Sequence, residues 1–378
     1  MTLGFLLFEY FPYGGLQRDC LQVASLCAKR GHKVTILTRV WGGPRPDDVR
    51  VESLGSSGWS NVGRNQAWIS RVQHRLSLGK FEGVIGFNKL PGLDVYYGSD
   101  PCYVAKAARL RPAFYRLTQR YRHFANLERC VFARDARTQI LLLTPDEIPV
   151  YREIYGTEQD RFHILPPGIV RRKFSAEKRD SAREDIRKVH GWNETERILL
   201  LVGSGFRVKG VDRAITALAA LTDEWRRSTR LVVIGGRNSP RPFQRQARSA
   251  GVGDRVHFPG GQDNIDAWLL GADLLIHPAY SESAGIILLE ALSCGLPVLT
   301  TDTCGYAFHV GKADAGIVLP SPYRQRDCNA RLAEMLTSPR RGTWSANGLA
   351  YAAAEDLYSC HQRAVEIIET TVNRKQDE

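Results

Sequence analysis

Apolar residues fall in two rhythms along this chain. Unbroken apolar runs occur at residues 3–8, 34–38, 84–87 and 139–143, each short enough to be a strand buried on both faces. Between the first two runs, Leu16, Cys20, Val23, Ala24 and Cys27 recur at helical spacing, and Gly31 provides a C-terminal stop. Strand, glycine turn, helix and strand predict a βαβ opening. A second series starts near residue 197, with strands at Ile198–Val202, Leu231–Ile234, Val256–Phe258, Leu274–His277 and Pro297–Thr301. The stretches "GVDRAITALAALTDEWRR" and "IDAWLLGA" between them carry helical periodicity. Two parallel sheets covered by helices follow from this alternation.

The segment "LPPGIVRRKF", Leu165–Phe174, interrupts both rhythms with two prolines and a glycine. It divides the chain into an N-terminal domain, residues 1–167, and a C-terminal domain, residues 168–345. Residues 346–378 are expected to be helices that pack back toward the first domain. Helical spacing runs from Trp344 to Thr371, and the tail "NRKQDE" is expected to fray. The fold class is α/β: two facing Rossmann-like domains with a deep cleft between them. Ligands in such sheets bind at the carboxyl ends of strands, so the strand-to-helix loops are where chemistry is sought.

Three loops stand out. In "FPYGGLQRD", Gly14 and Gly15 open the first helix, which suits either a tight turn or a phosphate held by backbone N–H groups. In "LVGSGFRVKGVDRAI", Arg207 and Lys209 lie on a glycine-rich loop and suit a diphosphate, the bland alternative being solvated turn residues. In "YSESAGIILLEALSCGLPVL", Glu282 falls in a loop and Glu290 in the helix that follows. Ile286, Ile287, Leu288, Leu289 and Leu292 surround Glu290, and a helix apolar all round is buried. A buried carboxylate needs hydrogen-bond donors, and a ribose diol offers two.

Charge narrows the partners. The net charge is +12, which points to an anionic partner. Residues Tyr103–Arg134 carry Lys106, Arg109, Arg111, Arg116, Arg120, Arg122, Arg129 and Arg134 against the single acid Glu128. Phe114, Leu117, Tyr121, Phe124, Leu127 and Val131 add an apolar stripe. The segment reads as a membrane-surface element or as a core helix with a solvated basic back. No helix-turn-helix, zinc-finger or RNA-binding signature supports nucleic acid. The apolar start lacks the basic flank of a signal peptide, and no run of about 18 apolar residues predicts a membrane span. Eight scattered cysteines without a C-x-x-C pair fit a cytoplasmic protein rather than a disulfide or zinc framework.

"ESAGIILLE" resembles the E-x7-E motif of retaining glycosyltransferases of the two-domain GT-B architecture. More closely, "EYFPYGGLQRD", "GFNKLPGLDVYYGSD", "YRLTQRYRHF", "ILPPGI", "KGVDR", "DLLIHPAY" and "TCGYA" resemble the lipopolysaccharide core glucosyltransferases of Gram-negative bacteria, in glycosyltransferase family 4. The resemblance runs from about residue 4 to about residue 365. It implies transfer of glucose from UDP-glucose to an inner-core heptose with retention, and it implies no metal. A D-x-D motif, which would hold a cation on the diphosphate, is lacking, so side-chain cations and helix dipoles must carry that charge. The other readings are a GT-B transferase with a different UDP-sugar or membrane acceptor, and a peripheral membrane protein without catalysis.

The resemblance also distributes roles. Glu282 lies at the donor sugar and Glu290 at the ribose. Ala284, Gly285 and Ile286 offer backbone amides. Gly15 and Asp19 lie near the diphosphate. Lys209 and Arg207 neutralise the leaving UDP, with Arg172 as a further cation. Asp100 is the polar group at the sugar from the first domain, or else a helix cap before Pro101. Arg64, Asn88 and Lys89 are acceptor-side candidates. Lys106, Arg116, Arg120 and Arg122 belong to the segment that docks on the anionic inner leaflet of the inner membrane. Gly203 departs from the pattern, because many family 4 enzymes carry an arginine there, and Val208 stands where close relatives carry a basic residue.

Overall fold

A computed structural model describes residues 1–378 apart from Tyr13, Lys173, residues 236–238 and Glu378. The chain forms two compact units, Met1–Gly168 with Ser359–Glu378, and Ile169–Tyr358.

The first unit is built on β1 (Thr2–Tyr10), β2 (Lys33–Trp41), β3 (Arg50–Ser53), β4 (Gly83–Gly86), β5 (Val95–Gly98), β6 (Gln139–Leu142) and β7 (Phe162–Ile164). All pairings are parallel, in the order β3-β2-β1-β4-β5-β6-β7. The four apolar runs of this half lie in β1, β2, β4 and β6. The strands without such a run, β3, β5 and β7, are only three or four residues long. Leu6, Leu37, Trp68, Val84, Tyr96 and Ile140 form the core on one side of the sheet. Helix Gly15–Lys29 buries Cys20, Val23, Ala24 and Cys27, the stripe read from spacing, together with Asp19.

The last helix, Cys360–Asp377, belongs to this unit and lies on helix Gly15–Lys29. Glu369 pairs with Arg30 and His32 at 2.8 Å each. The expected fraying of the tail is corrected: the helix continues to Asp377, with Lys375 2.8 Å from Asp94 and Gln376 donating to Glu82 at 2.6 Å. Helix Arg341–Ala354 stays with the second unit and lies on helix Ile286–Ser293. A side chain at Gly348 would meet the Leu292 carbonyl at 3.1 Å, so the glycine permits this close approach.

The second unit contains β8 (Arg197–Val202), β9 (Thr229–Ile234), β10 (Val256–Gly260), β11 (Leu274–His277), β12 (Val298–Thr301) and β13 (Gly316–Leu319). They are parallel, in the order β10-β9-β8-β11-β12-β13. Only β13 escaped the sequence reading. The stretch read as one helix after Gly210 is two, Val211–Ala219 and Asp223–Ser228. At the amino end of β11, Asp273 is buried among Arg183, Arg187, Arg197 and Arg341, at 2.8 to 3.3 Å, and accepts from the Ile198 N–H at 2.9 Å. Burial raises its pKa, but these cations and the N–H outweigh that and hold it below the ordinary carboxylate range. This network fixes the starts of β8 and β11, and leaves their carboxyl ends to carry loops.

Candidate active site

The strand order of the second sheet reverses between β8 and β11. That reversal opens a crevice at the carboxyl ends of the two strands, where ligands of such sheets bind. Loop 203–210 follows β8, loop 278–285 follows β11, and loop 302–306 follows the neighbouring β12. The three are bonded together. Tyr280 N–H donates to the Val208 carbonyl at 2.8 Å. Glu282 N–H donates to Thr303 O at 3.1 Å, Gly305 N–H to Glu282 O at 3.0 Å, and Tyr306 N–H to Ala284 O at 2.7 Å. Arg213 sits 3.5 Å from the Tyr280 ring centre and 3.7 Å from that of Tyr323, and donates to the carbonyls of Pro278 and Ala279 at 3.0 Å each. Gly210 has φ +77°, and a side chain there would meet the Pro278 carbonyl oxygen at 2.1 Å. Only glycine lets the first two loops close to this distance.

This framework brings Lys209 onto Glu282 as an ion pair, both half-buried. Burial lowers the Lys209 pKa, partly offset by the Cys304 sulfur. The Lys209 stem passes over Gly203, where a side chain would meet its Cγ at 2.9 Å. The glycine that departs from the family pattern thus makes room for the lysine. Gly285, at φ +87°, caps helix Ile286–Ser293, and Ala284 and Gly285 are buried beside Glu282. Lys209, Glu282, Ala284, Gly285 and Ile286 therefore come together as expected from their loops.

The other cations do not join them. The Arg207 side chain is 72% exposed and pairs with Asp212 at 3.1 Å. Arg172 is exposed and pairs with Asp266. Glu290 also corrects the sequence reading. Leu288, Leu289, Ala291 and Leu292 are buried, whereas Ile286, Ile287, Glu290 and Ser293 are half-buried and share one side of the helix. The glutamate is thus on the open face of a helix that buries only its other side. His277 is a site residue the sequence reading did not single out. It ends β11, is fully buried, and places Nε2 3.6 Å from Glu282 Oε2. Its only signal was a histidine closing an otherwise apolar four-residue strand.

The chain is 43% identical over 369 residues to the lipopolysaccharide glucosyltransferase WaaG of Escherichia coli strain K12, covering 97% of this chain and 98% of that one. It belongs to the WaaG family of glycosyltransferases. The family of group 1 glycosyl transferases matches residues 182–351, which span the Lys209–Glu282 cluster. A crystal structure of WaaG, a glycosyltransferase involved in lipopolysaccharide biosynthesis, superposes with a TM-score of 0.91 at 42% identity, covering 97% of this chain and 99% of that one. Anabaena Alr3699/HepE in complex with UDP and glucose shares the fold, with a TM-score of 0.74 at 16% identity over 98% of this chain and all of that one. The architecture is GT-B.

In this WaaG-family chain the first sheet reverses its order between β1 and β4. Gly15 opens a helix just after β1, and Asn88 and Lys89 follow β4. Asn88 Oδ1 accepts from the Phe8 N–H at 2.7 Å, which ties the two strand ends together. Lys89 is turned inward instead. It pairs with the fully buried Glu128, donates to the Pro101 carbonyl at 3.0 Å, and lies 5.6 and 5.4 Å from the ring centres of Phe132 and Tyr151. Asp19 is buried and accepts from Tyr97 Oη at 3.2 Å, with His361 Nε2 at 3.0 Å. Both Lys89 and Asp19 hold the unit together, a role that spacing did not reveal. Asp100 is exposed after β5 and caps no helix; Cys102 precedes helix Tyr103–Leu110. Arg64 is half-buried in helix Asn61–Ser77 and donates to Asn61 Oδ1.

The basic segment is three helical pieces rather than one: Tyr103–Leu110, a short 3-10 turn at Ala113–Leu117, and Gln119–Phe132. Pro112 and the Thr118 cap separate them. The apolar stripe divides accordingly. Leu127 and Val131 are buried, whereas Leu110, Phe114 and Leu117 are 60%, 70% and 71% exposed. Lys106, Arg109, Arg111, Arg116, Arg120 and Arg122 are exposed around them. Among the described residues, no helix is long and apolar enough to cross a membrane, and no group of three or more His, Cys, Asp and Glu could hold a metal ion.

Proposed function

We propose that this chain transfers glucose from UDP-glucose to a heptose of the lipopolysaccharide inner core, with retention of configuration, at the cytoplasmic face of the inner membrane. The observation that carries the reading is the identity to E. coli WaaG along 97% of the chain, with Lys209 and Glu282 paired at the switch point of the second sheet. Lys209 binds the diphosphate and stabilises the charge that grows on UDP as it leaves. Glu282 accepts hydrogen bonds from the sugar hydroxyls. The Ala284–Ile286 backbone faces the donor, with the N–H groups of the helix start favouring an anion. Glu290, on the open side of that helix, accepts the ribose hydroxyls rather than acting as acid or base. The lysine takes the charge a divalent cation would otherwise carry, so transfer is metal-independent.

In this reading the bond between the anomeric carbon and the UDP oxygen breaks as the acceptor hydroxyl attacks from the same face. Its proton passes to the departing phosphate oxygen. The exposed apolar side chains Leu110, Phe114 and Leu117 enter the lipid surface, and the cations around them meet anionic headgroups. Titration calorimetry tests the donor site. UDP-glucose binds the wild-type protein, and Lys209→Met weakens it at least tenfold. A protein that binds no UDP-sugar overturns the reading.

A further inference from the structure

His277 is a polar residue in a place where an apolar one would pack. Its side chain is 0% exposed, and neither Nδ1 nor Nε2 has a hydrogen-bond partner among the described residues. The backbone around it is satisfied: its carbonyl accepts from Thr300 Oγ1 at 3.1 Å and from the Ala279 N–H at 2.9 Å. Buried nitrogens left unpaired destabilise a fold, so a histidine that only filled the end of β11 would be worse than leucine. The ring lies beside Glu282, at 3.6 Å, just outside hydrogen-bonding distance. Burial first, and then the Lys209 charge, push its pKa down to about 3. The ring is therefore neutral at physiological pH, with one N–H to donate and one lone pair.

Lys209 and Glu282 satisfy each other in this structure. A diphosphate that draws the ammonium away removes the donor that holds the Glu282 carboxylate. We propose that His277 is a positioning residue that takes over Glu282 when Lys209 moves onto the donor's diphosphate, fixing the carboxylate for the sugar hydroxyls. A shift of roughly 0.5 Å by either side chain turns the contact into a hydrogen bond. The loop bonds of Glu282 to Thr303 and Gly305 restrain its backbone, so the movement is in the side chains. This inference rests on the donor-site reading above.

Two measurements test it. The first is kinetic. His277→Leu lowers kcat for UDP-glucose about 10- to 100-fold, while the Kd for UDP, which lacks the sugar, changes less than twofold. His277→Gln keeps an N–H donor and recovers kcat to within about fivefold of wild type. In a Glu282→Gln background, His277→Leu costs less than about twofold more, because its effect passes through Glu282. Wild-type kcat in His277→Leu, equal losses of kcat and UDP affinity, or losses that multiply in the double variant each overturn the proposal. The second needs no variant and stands if His277→Leu fails to fold. In protein with 15N-labelled histidine, UDP moves the His277 ring resonances to those of a hydrogen-bonded N–H, and uridine does not. UDP that binds and leaves the ring resonances unmoved overturns this inference alone. No UDP binding at all overturns the donor site and the inference with it.

Discussion

Replacing Gly210 by alanine tests whether the contact between the first two loops makes the site. The new Cβ would lie 2.1 Å from the Pro278 carbonyl oxygen, 2.7 Å from its carbon and 3.2 Å from Pro278 Cγ. A carbon and a carbonyl oxygen need about 3.3 Å, so the loops must part by about 1 Å. The obstacle is backbone, so no rotamer change relieves it. The φ of +77° adds roughly 1–2 kcal/mol for any residue with a side chain. Lys209 precedes this residue, and loop 278–285 carries Glu282, so the displacement falls on the ion pair. A misplacement of about 1 Å at a reacting centre costs about 100-fold in rate. Glucose transfer to a truncated core acceptor should fall by about that factor, with Tm lowered by roughly 2–8 °C. Gly191→Ala is the control, because φ there is +63° but nothing lies within 4 Å of the added carbon. It carries the φ cost without the clash, so it should lower Tm by less than Gly210→Ala and leave turnover unchanged. Full activity in Gly210→Ala, or equal loss in Gly191→Ala, would mean that the contact between the loops does not shape the site.

Other outcomes follow from the same geometry. Glu290→Gln should weaken UDP about 10- to 100-fold by calorimetry, the magnitude of a hydrogen bond to a charged group, and leave kcat at saturating donor within a few-fold. Glu128→Gln leaves the half-buried Lys89 without its counter-charge and should cost about 3 kcal/mol in urea unfolding. Burial raises the Glu128 pKa, but Lys89 and the N–H groups of Tyr103 and Val104 outweigh it, so the folded value is depressed. Its stabilisation is therefore complete above the ordinary glutamate pKa of about 4.3 and is lost as pH falls through the depressed value; the Gln variant should lack that acid loss. Neutralising Arg116, Arg120 and Arg122 to Gln should reduce flotation with anionic vesicles roughly 100-fold, at about 1 kcal/mol per cation, and unchanged flotation would remove the segment as the anchor.

The βα alternation was legible because buried parallel strands are apolar runs and the helices between them keep their period. The strands that were missed in the first half, such as β3 (RVES) and β7 (FHI), are short and mix polar with apolar positions, so they form no apolar run. The placement of two loop residues was legible too: Lys209 and Glu282 each follow a strand end, and the topology brings those ends together. What spacing concealed was pairing across distance. Lys89 and Glu128 are 39 residues apart, and Asp19 and His361 are 342 apart, so no local pattern announces either contact. Glu290 shows a different limit. Its apolar neighbours in sequence implied burial, yet Ile286 and Ile287 stay half-buried beside it. Side-chain identity records what a position tolerates, and a helix face kept partly open looks the same in sequence as one that is covered.

The central claim is that the Lys209–Glu282 cluster serves a glucose donor. The most direct measurement is turnover of UDP-glucose against UDP-galactose on truncated lipopolysaccharide core, in wild type and in Glu282→Gln. The account predicts preferential glucose transfer to a heptose, with kcat reduced at least 100-fold in the variant. Transfer that proceeds equally well without the Glu282 carboxylate, or a core acceptor that receives no sugar from UDP-glucose, would contradict it.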